Sequence, residues 1–182
     1  ATKVLARTAS PVPYYLAVLM HESAETLTNP TPDKLRRRIE ASIRHLVTGD
    51  EELDNIVWAV ERYQMMANMA VRRNVMEERV IRRFATEVRT VERLNLLMVL
   101  TVCHLRMAGI NSWDRWTRRD LTLLYQTTLA WLEGGEEALA AFLVKQREQL
   151  RSRAARALAD WPVAQLDRFL HRLPTEVYEA VA

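Results

Sequence analysis

Apolar residues recur at three- and four-residue intervals along most of the chain, and nowhere do they alternate with the two-residue period of a half-buried strand. From Pro13, a residue suited to a first helical turn, Tyr15, Leu16, Leu19 and Met20 repeat at helical spacing, and the segment runs to about Leu27. Asn29-Pro30-Thr31-Pro32 reads as a loop. Pro32-Asp33 then opens a second helix that carries Leu35, Ile39, Ile43 and Leu46 and closes at Gly49. Asp50 is placed to cap a third helix with the stripe Leu53, Ile56, Val57, Val60 and Met66. An irregular stretch from Asn68 to Asn74 gives way to a helix from about Met76 to Val88, with Val80, Ile81 and Phe84 facing inward.

The most apolar run, Leu94 to Leu105, has Thr90 as N-cap and Gly109 as terminator. Asn95, Thr101 and His104 interrupt it and Arg93 and Arg106 flank it, so it is too short and too polar to span a bilayer. It predicts a buried central helix, with Leu97 and Leu100 in the core. Ser112 opens a long helix through Trp113, Trp116, Leu121, Leu124, Tyr125 and Leu132, which Gly134-Gly135 stops. Beyond it lie a charged amphipathic helix from Glu136 to about Ala159, a break at Trp161-Pro162, and two short helices. The pattern predicts an all-α fold of roughly seven to nine helices. It forms a single helical domain over residues 1–182, with 136–182 as a C-terminal helical extension packed on it.

Composition sharpens this reading. Only 4 glycines and 6 prolines punctuate 182 residues, which favours long helices with short connections. The net charge of +3 comes from 26 basic and 23 acidic residues interspersed along the chain, a balance that argues for no particular partner. The single cysteine, Cys103, sits in an apolar stretch and is compatible with a reducing, cytoplasmic compartment. No secretory signal pattern is present, and Ala1 in place of an initiator methionine is expected of a piece of a longer protein.

Most enzyme classes find no foothold, because the chain has no glycine-rich phosphate loop, no Cys-x-x-Cys pair and no nucleophile elbow. Arginine clusters at 36–38, 72–73, 82–83, 118–119 and 151/153 have Glu40, Glu77-Glu78, Glu87, Asp120 and Glu148 within about a turn. They read as solvated helix faces rather than a phosphate or nucleic-acid site, with no nucleic-acid or membrane partner, and Trp113 and Trp116 as packing anchors, an aromatic slot for a base being the alternative. His45 and His171 carry no assigned role. His21-Glu22 ends an apolar run, and His104 closes the central one.

At His21-Glu22 the chain resembles the Leu-His-Asp signature of HD hydrolases, in which a divalent metal activates water against a phosphoester. From Trp58-Ala59-Val60 through Arg72-Arg73, Val80-Ile81-Arg82-Arg83-Phe84-Ala85, Glu92-Arg93-Leu94 and Leu100-Thr101-Val102, it is similar in order and spacing to the HD-type uridylyl-removing domain of bifunctional PII uridylyltransferases. Arg106, Gly109, Trp113, Trp116, Leu124-Tyr125 and the tail from Phe169-Leu170 to Pro174 and Glu176 continue the resemblance. It implies an HD-domain-like fold in a nitrogen-regulatory protein, and Mg or Mn as the metal. As partners it implies a PII-type signal protein or other domains of a longer chain, with an oligomer open.

The departures from that pattern matter as much. The HD doublet is His21-Glu22, the Asp-His pair is Asp33-Lys34, the paired histidines are Arg62-Tyr63, and the distal Asp is His104. Fixed positive charge at Lys34 and Arg62 repels a cation, so no cofactor is expected. The resemblance leaves a vestigial metal set of His21, Glu22 and His104, and a candidate anion pocket of Lys34, Arg62 and Arg106. A degenerate HD-like module with a structural, regulatory or partner-binding role is the leading reading. An active metal phosphohydrolase and a free-standing helical adaptor or oligomerisation domain are the alternatives.

Overall fold

The computed structural model describes residues 10–25, 31–72, 75–109 and 113–157, together with Val4, Thr8, Trp161, Pro162, Gln165, Arg168 and Phe169. Ser112 and the two expected C-terminal helices lie outside or largely outside these. The described residues form an all-α fold of seven helices without a strand: α1 (Val12–Glu25), α2 (Pro32–Ile43), α3 (Asp50–Glu61), α4 (Tyr63–Arg72), α5 (Glu78–Val88), α6 (Val91–Met107) and α7 (Arg115–Ala157). No helix among them is long and apolar enough to cross a membrane.

Local chemistry explains the boundaries. The Thr31 side chain accepts the Lys34 amide and Pro32 occupies the first turn, which together start α2. That helix ends at Ile43, one turn before the sequence reading, so Leu46 lies in a turn and is 50% exposed rather than joining the stripe. Gly49, not Asp50, is the N-cap of α3; Asp50, Glu51 and Glu52 fill its first turn, where carboxylates complement the helix dipole. The apolar stripe expected to run unbroken from Leu53 to Met66 is split at Arg62, whose amide donates to the Ala59 carbonyl in a tight last turn before α4 begins. In turn α4 continues to Arg72, through part of the stretch read as irregular.

As expected, Thr90 caps α6 by accepting the Arg93 amide, and Gly109, at φ 112°, follows its last turn. On α5 the buried residues are Ile81, Phe84, Ala85 and Val88, whereas Val80 is only half-buried. For α7 the cap is Asp114, whose carboxylate accepts the Thr117 amide at 2.6 Å; this hydrogen bond holds the Asp114 carboxyl below its usual range.

Helix α6 is the centre of the packing. It contacts α1, α3, α4, α5 and α7, and Leu94, Leu97 and Leu100 are buried on it together with Leu96, Met98, Val99 and Val102. Residues on all sides of the helix are covered, which is why its apolar run has no polar face.

Helix α7 spans 43 residues and would be about 64 Å long if straight. Instead residues 115–126 and 146–153 line one cavity, so the chain doubles back into a hairpin of two arms. The pivot is Gly135, at φ 65° and ψ −149°, a region open essentially to glycine alone. At Gly134 an added Cβ would meet the Ala138 Cβ at 2.6 Å. Leu139 and Leu143 of the second arm pack with Met76 and Ile81 in a small cluster of their own, and Arg82, paired with Glu78 on its own helix, reaches Glu136 across the same seam. Gly135→Ala is expected to cost about 1–3 kcal/mol in urea unfolding through backbone strain alone. A loss indistinguishable from zero would show that the hairpin does not need this conformation.

Candidate functional site

The packing of α1 and α4 on α6 brings three rings together at one end of the central helix. His21 comes from the last turns of α1, Tyr63 is the first residue of α4, and His104 lies in the last turn of α6. Their centroids are 4.2 Å (His21–Tyr63), 5.0 Å (Tyr63–His104) and 5.2 Å (His21–His104) apart, all with edge-to-face geometry. Two contacts hold the Tyr63 corner: the Thr101 hydroxyl, one turn before His104, donates to the Tyr63 carbonyl at 3.3 Å, and the Gln64 amide donates to the phenol oxygen at 2.7 Å. His21 is buried, while neighbouring Glu22 is 57% exposed with a carboxylate oxygen 3.7 Å from the His21 Nδ1.

The three basic residues named from the sequence come from different elements. Lys34 is exposed in the first turn of α2. Arg62, directly before Tyr63, points its guanidinium at Glu61 and Glu87 and lies over the Trp58 ring, 5.4 Å from its centroid. Arg93, on α6, lies over the same indole at 5.0 Å and donates to Asn55 at 2.8 Å. Arg106 lies over Trp113, at 5.5 Å. The structure therefore unites His21 with His104, and the group it adds is Tyr63. A signal for it existed in the sequence, since Arg62-Tyr63 stands where the family's paired histidines fall. Nothing there says which of the two turns inward.

Among the described residues, no three His, Cys, Asp or Glu side chains gather as a metal-binding group. The corner that would complete a set with His21 and His104 is a phenol. Beside His104, burial pushes the Cys103 thiol up, and Arg106 only partly offsets this, which disfavours a free thiolate.

Trp116 does not anchor the core, as the sequence reading had it. It is 50% exposed, with the Arg119 guanidinium 4.7 Å from its ring centroid, because α7 starts at Arg115 and turns this residue toward the cleft between the hairpin arms.

The fold and site define an all-α module with a partly buried His–Tyr–His cluster where its first, fourth and sixth helices meet. Comparison with known proteins gives its relationship. The chain is 32% identical over 153 residues to a bifunctional uridylyltransferase/uridylyl-removing enzyme of Ruegeria pomeroyi, covering 84% of this chain and 16% of that protein. The enzyme of the same name from Cereibacter sphaeroides is 37% identical over 110 residues, covering 60% and 11%, and that of Caulobacter vibrioides 29% over 143 residues, covering 79% and 15%. By sequence the chain is a relative of one segment of the bifunctional uridylyltransferase/uridylyl-removing enzymes, spanning a sixth or less of the length of these relatives. No protein-family model and no solved structure matches it.

Proposed function

We propose that the chain is a degenerate HD-like module of a PII uridylyltransferase-type nitrogen-regulatory protein, with a structural, regulatory or partner-binding role in the cytoplasm and weak or no hydrolase activity. The observation that carries this reading is the Tyr63 ring in the third corner of the His21–His104 cluster. A neutral phenol neither binds a hard divalent cation as a carboxylate does nor replaces an imidazole, and Arg62 adds positive charge at the next residue. The donor set does not fit the metal that the resemblance implies.

A second observation supports the partner-binding role. Val12, Tyr15 and Leu19 fall on one stripe of α1 and are 45%, 60% and 61% exposed. A stripe of this kind suits docking against other segments of a longer polypeptide or a PII-type protein.

The test combines metal analysis of protein purified without chelator with hydrolysis of bis(p-nitrophenyl) phosphate and of a uridylylated PII-type protein in excess manganese. The expected result is no retained stoichiometric metal, and turnover that His21→Ala and His104→Ala leave unchanged. Manganese-dependent hydrolysis abolished by either substitution would establish an active phosphohydrolase and overturn the proposal.

A further inference from the structure

The hairpin of α7 encloses a cleft of about 390 Å³ whose chemistry differs from that of the ring cluster. Arg115, Arg118 and Arg119 enter it from the first arm and Arg153 from the second, and no acidic residue lines it. Arg119 is engaged, pairing with Asp120 at 3.0 Å and lying over Trp116. Among the described residues, Arg115, Arg118 and Arg153 have no carboxylate at ion-pair distance. Elsewhere in the described residues two arginine clusters do meet acids: Arg36 meets Glu40 and Asp54, and Arg82 meets Glu78 and Glu136. What sets this cluster apart is that four arginines from two helical arms line one cleft with no acid among them.

We propose that this cleft binds a small phosphate ester carrying a flat ring, in chemical class a nucleotide. Three convergent guanidinium groups donate forked, charge-assisted hydrogen bonds that match phosphate oxygens. A concentration of like charge without acids is costly to hold together, and a bound polyanion relieves it. Trp116 supplies a half-exposed indole wall beside them, with Arg119 fixing its position, so a heterocycle can stack there. Gln126 and Gln146, one on each arm, present amides able to donate to and accept from a base edge. The volume falls in the range of small-ligand sites. Ligand contacts from both arms would also tie the hairpin shut.

The test titrates the full chain with uridine 5′-diphosphate, adenosine 5′-diphosphate and inorganic pyrophosphate by calorimetry at low and moderate salt. Saturable nucleotide binding in the submillimolar range is expected, weakening as salt rises. Arg118→Gln and Arg153→Gln should each weaken it about tenfold or more, as expected for a hydrogen bond to a charged group. Trp116→Leu should weaken the nucleotides and leave pyrophosphate unchanged. Should an arginine variant fail to fold by circular dichroism, Thr122→Glu, an exposed position in the cleft, places a carboxylate there and must abolish binding equally. Absence of saturation for the unaltered chain up to millimolar nucleotide would overturn the proposal. So would affinity unchanged in the folded arginine variants or in Thr122→Glu. Pyrophosphate binding as tightly as the nucleotides, with no effect of Trp116→Leu, would overturn the ring assignment. His21 and His104 do not enter, so the result is independent of the module's hydrolytic competence.

Discussion

Replacing Tyr63 by histidine is expected to create a three-imidazole metal site that takes up zinc or cobalt(II) stoichiometrically. A metal–nitrogen bond of about 2.1 Å puts an imidazole centroid about 3.2 Å from the metal, so tetrahedral ligands hold their centroids about 5 Å apart. The present rings stand at 4.2, 5.0 and 5.2 Å, close to that spacing with one corner carrying the wrong chemistry. The helices that set these positions are fixed by burial around α6, so the substitution changes the donor rather than the scaffold. Cobalt(II) absorption and metal content after gel filtration report the outcome, and uptake should disappear at acidic pH as the imidazoles protonate. If Tyr63→His retains no more metal than the unaltered chain, the ring nitrogens do not converge and the cluster is only packing.

The second large effect concerns stability. Leu97 is fully buried and Leu100 nearly so, on a helix surrounded by five others, and truncation of either to alanine is expected to cost about 2–5 kcal/mol in denaturant unfolding. The spread reflects how far neighbours relax into the cavity. Val144→Ala, on an exposed position of the second arm, should change stability by less than about 0.5 kcal/mol and serves as the control. A Leu97→Ala loss as small as the control would remove α6 from the centre of the core.

Much of this architecture was legible because its boundaries use local chemistry. Thr90, Gly109 and Gly135 act through their own side chains or backbone freedom, so caps and stops could be read residue by residue. The break at Arg62 could not. No proline or glycine marks it, and the apolar positions from Val60 to Met66 continue in register; only tertiary packing of α3 and α4 on different neighbours separates them. The same break determines that Tyr63, and not Arg62, meets the histidines. His21 and His104 are far apart in sequence, and the resemblance, not their spacing, brought them together on paper. The arginine cleft was hidden for a related reason. Local i, i+4 pairing accounts for Arg36 and Arg82, but whether Arg118 and Arg153 share a space depends on a hairpin whose arms meet some fifteen residues either side of a pivot.

That hairpin divides the molecule mechanically. The main core contains buried residues from α1 through α6 and the first arm of α7, whereas the second arm rests on Leu139 and Leu143 against Met76 and Ile81. Detaching it exposes a handful of side chains and leaves the His–Tyr–His corner untouched. The second arm is therefore a cooperative unit of its own, joined to the first arm through Gly135. An event at the cleft can be registered as the position of this arm while the larger body stays folded, which is the property a module needs if it is to signal by moving rather than by catalysing.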